Sequence, residues 1–500
     1  MSALNTDAGV DVVVDVVVIG GGPAGSAVGR TLASWGHSVV ILTAASDRSR
    51  GLAESLPPST QKLLDRIGAL GAVERAGFYR ATGNTAWWAS REPRVERFDA
   101  PGYQVFRPEF DRVLLDVASE AGADVRCDAR VRAVGFDDRG AHVDYEYRGT
   151  ASTVDARLVL DCSGRAGVIA RRFRCAQAGH RTYSIVGVWQ RDAWDLPDPT
   201  HTVVETFDDG WAWSVPIDPA TRHVGVMVDG VSSRAAGGVL ESAYRAELAN
   251  THAVRVLLEG AAPQRVWACD ASLYRSDVYS GDHFLLVGDA ASFIDPLSSF
   301  GVKKALASAW IGAVTAHTCL LHPDRRTAAL DFFSNWERRI YLTNLLRSRN
   351  FARDAYELHR RPFWAVRSAV EVEPVPGEID EESLFRAPDV QAAFERLKSN
   401  TSLTLTPGDA VSLKKRSLIR DREIVVDDAI ALPEAPEGVR FIAGVDLLKL
   451  AETACRHGQV SDLFEAYCYS CGAVSMRNLL GTLSLLIARR VLIEREQIVP

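Results

Sequence analysis

The chain has 500 residues, a formal net charge of −7, 47% hydrophobic residues and 24% charged residues. That length exceeds what one hydrophobic core serves, so two or three structural units are expected. The composition excludes wholesale disorder, and the acidic balance argues against a nucleic-acid binder. The first nine residues carry no basic charge ahead of the first apolar run, so no secretion signal is expected. No stretch of about 18 uninterrupted apolar residues occurs, so no membrane span is expected either. The eight cysteines are scattered, which suits reduced thiols and a cytoplasmic location. Cys468 and Cys471 have metal-like spacing without a second pair nearby, so no metal site is expected. Only seven of the 57 basic residues are lysine, and none lies between Lys62 and Lys303.

In chain order, residues 15–19 form a continuous β-branched run, suited to a strand buried on both faces. Gly20, Gly22 and Gly25 follow with GxGxxG spacing, then a helical pattern to Trp35 that Gly36 is placed to stop. A second strand is expected at 38–42. This βαβ opening is the context in which GxGxxG binds a dinucleotide. The first glycine allows the turn, the second lets a pyrophosphate approach, and the third lets helix and strand pack. The position that normally carries the ribose-binding acid is Thr43, so anchoring there is expected to be weaker than usual or shared with Arg48 or Arg50. The middle of the chain alternates strands, including 141–147, 201–206 and 223–228, as in an antiparallel sheet inserted into the dinucleotide fold. Residues 284–287 return to the parallel sheet, and 302–360 are helical in pattern. Residues 372–382 turn acidic and proline-rich, as an exposed connection would.

Three further segments suit one cofactor: Arg107-Pro-Glu-Phe-Asp111 opening a helix, a strand ending in Asp161-Cys-Ser-Gly164, and Gly288-Asp289-Ala-Ala followed by Asp295-Pro296-Leu-Ser-Ser-Phe-Gly301. With these motifs in this order, residues 12–345 resemble the flavoprotein monooxygenases of the p-hydroxybenzoate hydroxylase type. The resemblance implies FAD, with Asp289 at the ribityl chain and Arg107, Gly288 and Pro296 beside the cofactor. Gly301 and Val302 would start a helix whose N–H groups face the negative edge of the reduced flavin. Ala53-Glu54-Ser55-Leu56-Pro57-Pro58 and Trp211-Ala-Trp213-Ser-Val-Pro216 are similar to passages of the flavin-dependent halogenase branch. Trp211 and Trp213 would then flank the route between flavin and substrate. Phe300 would narrow the halide pocket, and Trp87 and Trp88 could add to an aromatic lining.

That branch also uses a lysine downstream of the Glu-Ser-x-x-Pro passage to hold or activate the halogenating species. The matching register holds Arg80 and Ala81, inside the lysine-free interval. Arginine stays protonated and is a poor nucleophile. The sequence therefore favours an FAD-dependent monooxygenase that hydroxylates an electron-rich aromatic, free or borne on a peptide or carrier. A halogenase is the alternative, and a non-catalytic flavin scaffold a third reading. Reducing equivalents would come from NAD(P)H directly or from a separate flavin reductase. His180, His201 and His223 are candidate bases by location only.

The expected fold is α/β: a Rossmann-like FAD-binding fold spanning 12–345, with an inserted substrate-binding β-sheet at about 80–105 and 170–280. A helical extension and linker would cover 346–436. A small helical unit, faintly similar to a winged helix, would cover 437–500, with helices near 446–455, 460–467 and 476–489 and a strand at 491–493.

Overall fold

The computed structural model describes residues 13–45, 50–179, 181–229, 238–375, 377, 379–399, 402, 404–409 and 411–494. Arg48 and His180 lie outside them. The chain divides into two compact units, residues 1–374 and 375–500.

In the first unit the β-branched run forms strand Val13–Ile19, whose last four residues are all buried. It pairs in parallel with Val39–Thr43 on one side and Thr150–Asp161 on the other. Asp124–Cys127 and Phe284–Leu286 extend this parallel core outward. Helix Pro23–Ser34 starts on a proline, whose missing N–H costs nothing at that position. It stops at Gly36, whose φ of +91° a side chain would disfavour. Strand Ala141–Tyr147 belongs to this sheet and not to the inserted one, because it pairs with Ala129–Phe136 and Thr150–Asp161.

The inserted sheet has eight strands in the order Pro263–Asp270, Thr182–Gln190, Thr221–Asp229, Gly210–Pro216, Thr202–Phe207, Tyr79–Trp87, Arg94–Phe106, Ala53–Leu56. Every pairing is antiparallel except that of Thr202–Phe207 with Tyr79–Trp87. Side chains alternate between its faces. Val203, Ala212, Val224, Val226 and Val228 pack with Tyr244, Leu248 and Val254 on one side. Trp211 and Met227, on the other, pack with Ala352, Ala355, Phe363 and Trp364. Two long helices, Gly301–Leu321 and Arg326–His359, complete this unit, followed by Pro362–Ser368.

Residues 346–436 are therefore not one extension. Up to Pro374 they belong to the first unit, held by the burial of Phe363 and Trp364 against the sheet face that carries Trp211. In the second unit, Leu413–Arg420, Glu423–Leu432 and Ala435–Val439 form an antiparallel meander. Leu405–Pro407 pairs with Leu492–Glu494. Helices Leu447–Ala454, Val460–Cys471 and Met476–Ala488 follow the meander and share one apolar core with its residues Ile430 and Leu432. Among the described residues no single helix is long and apolar enough to cross a membrane.

Candidate functional site

A cavity of about 910 Å³ runs through the first unit. Its walls include Gly20, Gly22, Thr43, Arg107 and the Cys162–Ala166 loop, together with Trp211, Trp213, Val215 and Met227 of the inserted sheet. A volume of this size suits a cofactor together with a substrate.

The glycine motif is shaped by three separate constraints. Gly20 has φ +106°, and a Cβ there would stand 2.5 Å from the carbonyl oxygen of Cys162. A Cβ on Gly25 would drive into the carbonyl of Gly20, so helix and strand approach only because it is absent. Gly22 has only Asp111 near its virtual Cβ, at 3.9 Å, and faces the cavity. The helix that follows presents an uncapped N-terminus, with no side chain bonding the first-turn N–H groups. Such a terminus attracts phosphate.

The loop after strand Thr150–Asp161 is fixed by Asp161. This buried carboxylate accepts hydrogen bonds from the backbone of Ser163, Ile169 and Ala170 at 3.1, 2.7 and 2.9 Å. It thereby sets the cavity-lining residues Gly164, Arg165 and Val168.

Arg107 is held by two carboxylates. It donates to Glu54 at 2.6 Å and, in a fork, to both oxygens of Asp111 at 2.9 and 3.1 Å. Burial opposes its charge, but the carboxylates of Asp111 and Glu54 outweigh burial and hold the guanidinium ionised. Burial pushes the Glu54 carboxyl up, with Arg107 pulling against it. Glu54 and Arg107 both line the cavity.

Pro296, Gly301 and Val302 line it too, with Asp289. Asp295 caps the turn Pro296–Ser298 by accepting from the Leu297 N–H at 3.0 Å. Ser299 follows at φ +51°, an unfavourable conformation for a residue with a Cβ, and it too faces the cavity. Helix Gly301–Leu321 has no side-chain cap and no acid in its first turn, so its N–H groups and dipole are available to negative charge.

Gly20, Gly22, Thr43, Arg107, Asp289, Pro296, Gly301, Val302, Trp211 and Trp213 are thus brought to one cavity. Gly25 and Gly288 stand behind its wall, where their lack of a side chain serves packing and, at Gly288, a φ of +66°. Arg50 is exposed and off the lining, whereas Arg130 and Arg132, the latter paired with Glu146, line the cavity with Thr43 and Ala44. Phe300 does not narrow the cavity. Its ring lies 4.7 Å from the Lys303 ammonium and 5.7 Å from the Arg347 guanidinium. Trp87 and Trp88 are also off the lining: Trp88 meets Trp211 and Trp364 edge-on, and Trp87 packs on the far face of the sheet.

Among the described residues no histidine and no lysine lines the cavity. His201 is bonded to Thr85 and sits beside Asp198, and burial lowers its pKa. His223 is pushed down to about 4 by burial. Ala81 is fully buried, and Arg80 lies over the Tyr103 ring at 4.5 Å.

A glycine cradle, an open helix terminus and a cavity of this volume fit FAD, and residues 13–310 match the FAD binding domain family. The fold and site define an FAD-dependent oxidoreductase. Within that class the chain belongs to the flavin-dependent halogenase family, being 30% identical over 373 residues to a tryptophan 2-halogenase of Chondromyces crocatus, with 70% of each chain covered. Two solved structures share the fold. The flavin-dependent halogenase CmlS has a TM-score of 0.76 at 24% identity, covering 96% of both chains. The peptidyl tryptophan dihydroxylase QhpG has a TM-score of 0.68 at 22% identity, covering 95% of this chain and 99% of its own.

Proposed function

We propose that the chain uses FAD and oxygen to halogenate an electron-rich aromatic substrate placed beside Trp211 and Trp213 in the cavity. The family relationship carries this reading and favours halide transfer over the hydroxylation expected from the sequence. Bound FAD would supply the two-electron oxidant from oxygen. The residues of the chain would hold, orient and shield. Gly20, Gly22 and the terminus at Pro23 would take the pyrophosphate, Arg130 and Arg132 would face the adenosine end, and Asp289 would accept from the ribityl hydroxyls. The first turn at Gly301–Val302 would stabilise negative charge at the reacting end. Trp213 and Val215 would present an apolar face to an aromatic ring and exclude water. The substrate is expected to be a free aromatic molecule or an aromatic group on a peptide or carrier, and the electrons to come from NAD(P)H or a flavin reductase.

A second reading, hydroxylation, rests on one observation: no lysine among the described residues lines the cavity. Turnover of indole and phenol candidates with reduced FAD, in bromide and in halide-free buffer, separates the two. Bromide-dependent bromination supports the first. A hydroxylated product that ignores halide replaces it with the second.

A further inference from the structure

Lys304 is one of the chain's seven lysines and is almost completely removed from water, its side chain 2% exposed. An ammonium in that position is costly unless its donors and its charge are both met. Its Nζ donates to the carbonyl of Gly288 at 2.8 Å and to that of Ser292. It stands 3.6 Å from Oδ1 of Asp289. The other polar groups of the same turn are also gripped from outside. Ser308 Oγ accepts from the Gly288 N–H at 2.7 Å and donates to buried Glu337. Tyr274 donates its hydroxyl to the Asp289 carbonyl at 2.6 Å.

One asymmetry gives this cluster direction. Asp289 Oδ1 is buried and makes no hydrogen bond among the described residues, while the Asp289 side chain as a whole is 31% exposed and lines the cavity. The Lys304 charge draws one carboxylate oxygen inward, so the other is presented to the cavity.

We propose that Lys304 is a positioning residue for FAD: its ammonium clamps the 288–292 turn and fixes the Asp289 carboxylate with one oxygen aimed at the cofactor. This rests on the reading that Asp289 contacts FAD.

The test is a double-mutant cycle on the full chain, with the FAD Kd read by quenching of flavin fluorescence and the apo Tm measured alongside. Lys304→Met keeps length and apolar bulk without charge. If Lys304 acts through Asp289, Lys304→Met raises the FAD Kd about tenfold, the scale of one charge-assisted interaction, and changes it less than about twofold once Asp289→Ala is present. A merely structural lysine would instead weaken FAD equally in both backgrounds, and that additivity would overturn the proposal. An unchanged Kd in Lys304→Met would do the same. Asp289→Ala alone leaving the Kd unaltered would overturn the Asp289 reading, and the Lys304 assignment with it. Lys304→Gln carries the same cycle if the methionine variant does not fold.

Discussion

Arg107→Met removes the hub that neutralises Glu54, at the cavity wall, and Asp111. The three contacts it breaks, at 2.6, 2.9 and 3.1 Å, are charge-assisted. Losing one partner of a buried pair costs about 3–5 kcal/mol. The three side chains are each about a quarter exposed, so the low end, about 3 kcal/mol, applies. Unfolding entropy of about 2.1 cal/mol/K per residue across the first unit, residues 1–374, turns that into a loss of roughly 4 °C in Tm. The loss should depend on pH in a defined direction. Glu54 already titrates above its ordinary value because burial raises it. A carboxyl whose folded pKa exceeds its unfolded pKa contributes stability at low pH, which is lost as pH rises through that window. Without Arg107 the window extends further upward, so the Tm deficit against the parent should grow as pH rises above the ordinary glutamate range. Arg107→Lys should restore most of the slope, though not the fork. Differential scanning calorimetry at constant ionic strength measures this. A deficit that shrinks with rising pH, or stays below about 1 °C throughout, would refute the electrostatic account of this site.

Gly25→Val should abolish FAD binding in a titration while leaving the second unit's meander and helices unchanged by circular dichroism, since its side chain must displace the Gly20 carbonyl. Gly225→Ala places a methyl group on the Trp213 indole. It should leave the FAD Kd within about twofold but raise the aromatic substrate's KM about tenfold or more, because only the substrate end is disturbed. His223 is held neutral by burial with a pKa near 4, so stability should fall as pH drops from about 6.5 towards 4, by up to about 3 kcal/mol. His223→Phe should remove most of that acid sensitivity, as read from urea midpoints at pH 4.5 and 7.

The glycine cradle is legible in the sequence because it is local: strand, turn and helix occupy residues 13–34, and Gly25 meets the Gly20 carbonyl within that stretch. The cavity face of Gly210–Pro216 is legible for a similar reason, since period two puts Trp211, Trp213 and Val215 on one side. Alternation says that a strand is half-buried but not which sheet it joins, and so the sequence places Ala141–Tyr147 in the wrong one. Phe300 precedes the cavity-lining Gly301 in sequence, yet its ring turns to Lys303 and Arg347, a direction that sequence adjacency does not encode. The strand Leu413–Arg420 escapes a sequence reading because its first four residues are all exposed and three are basic, leaving no alternation to detect. The clamp of Lys304, Ser308 and Glu337 on Gly288 joins residues up to 49 positions apart and has no local signature at all.

The most direct test of the proposed activity is a product analysis. The FAD-loaded chain, reduced and exposed to ¹⁸O-labelled oxygen in the presence of bromide and an indole or phenol, should yield a ring-brominated product without ¹⁸O. A halogen-free product carrying ¹⁸O would contradict halide transfer and assign the cavity to hydroxylation.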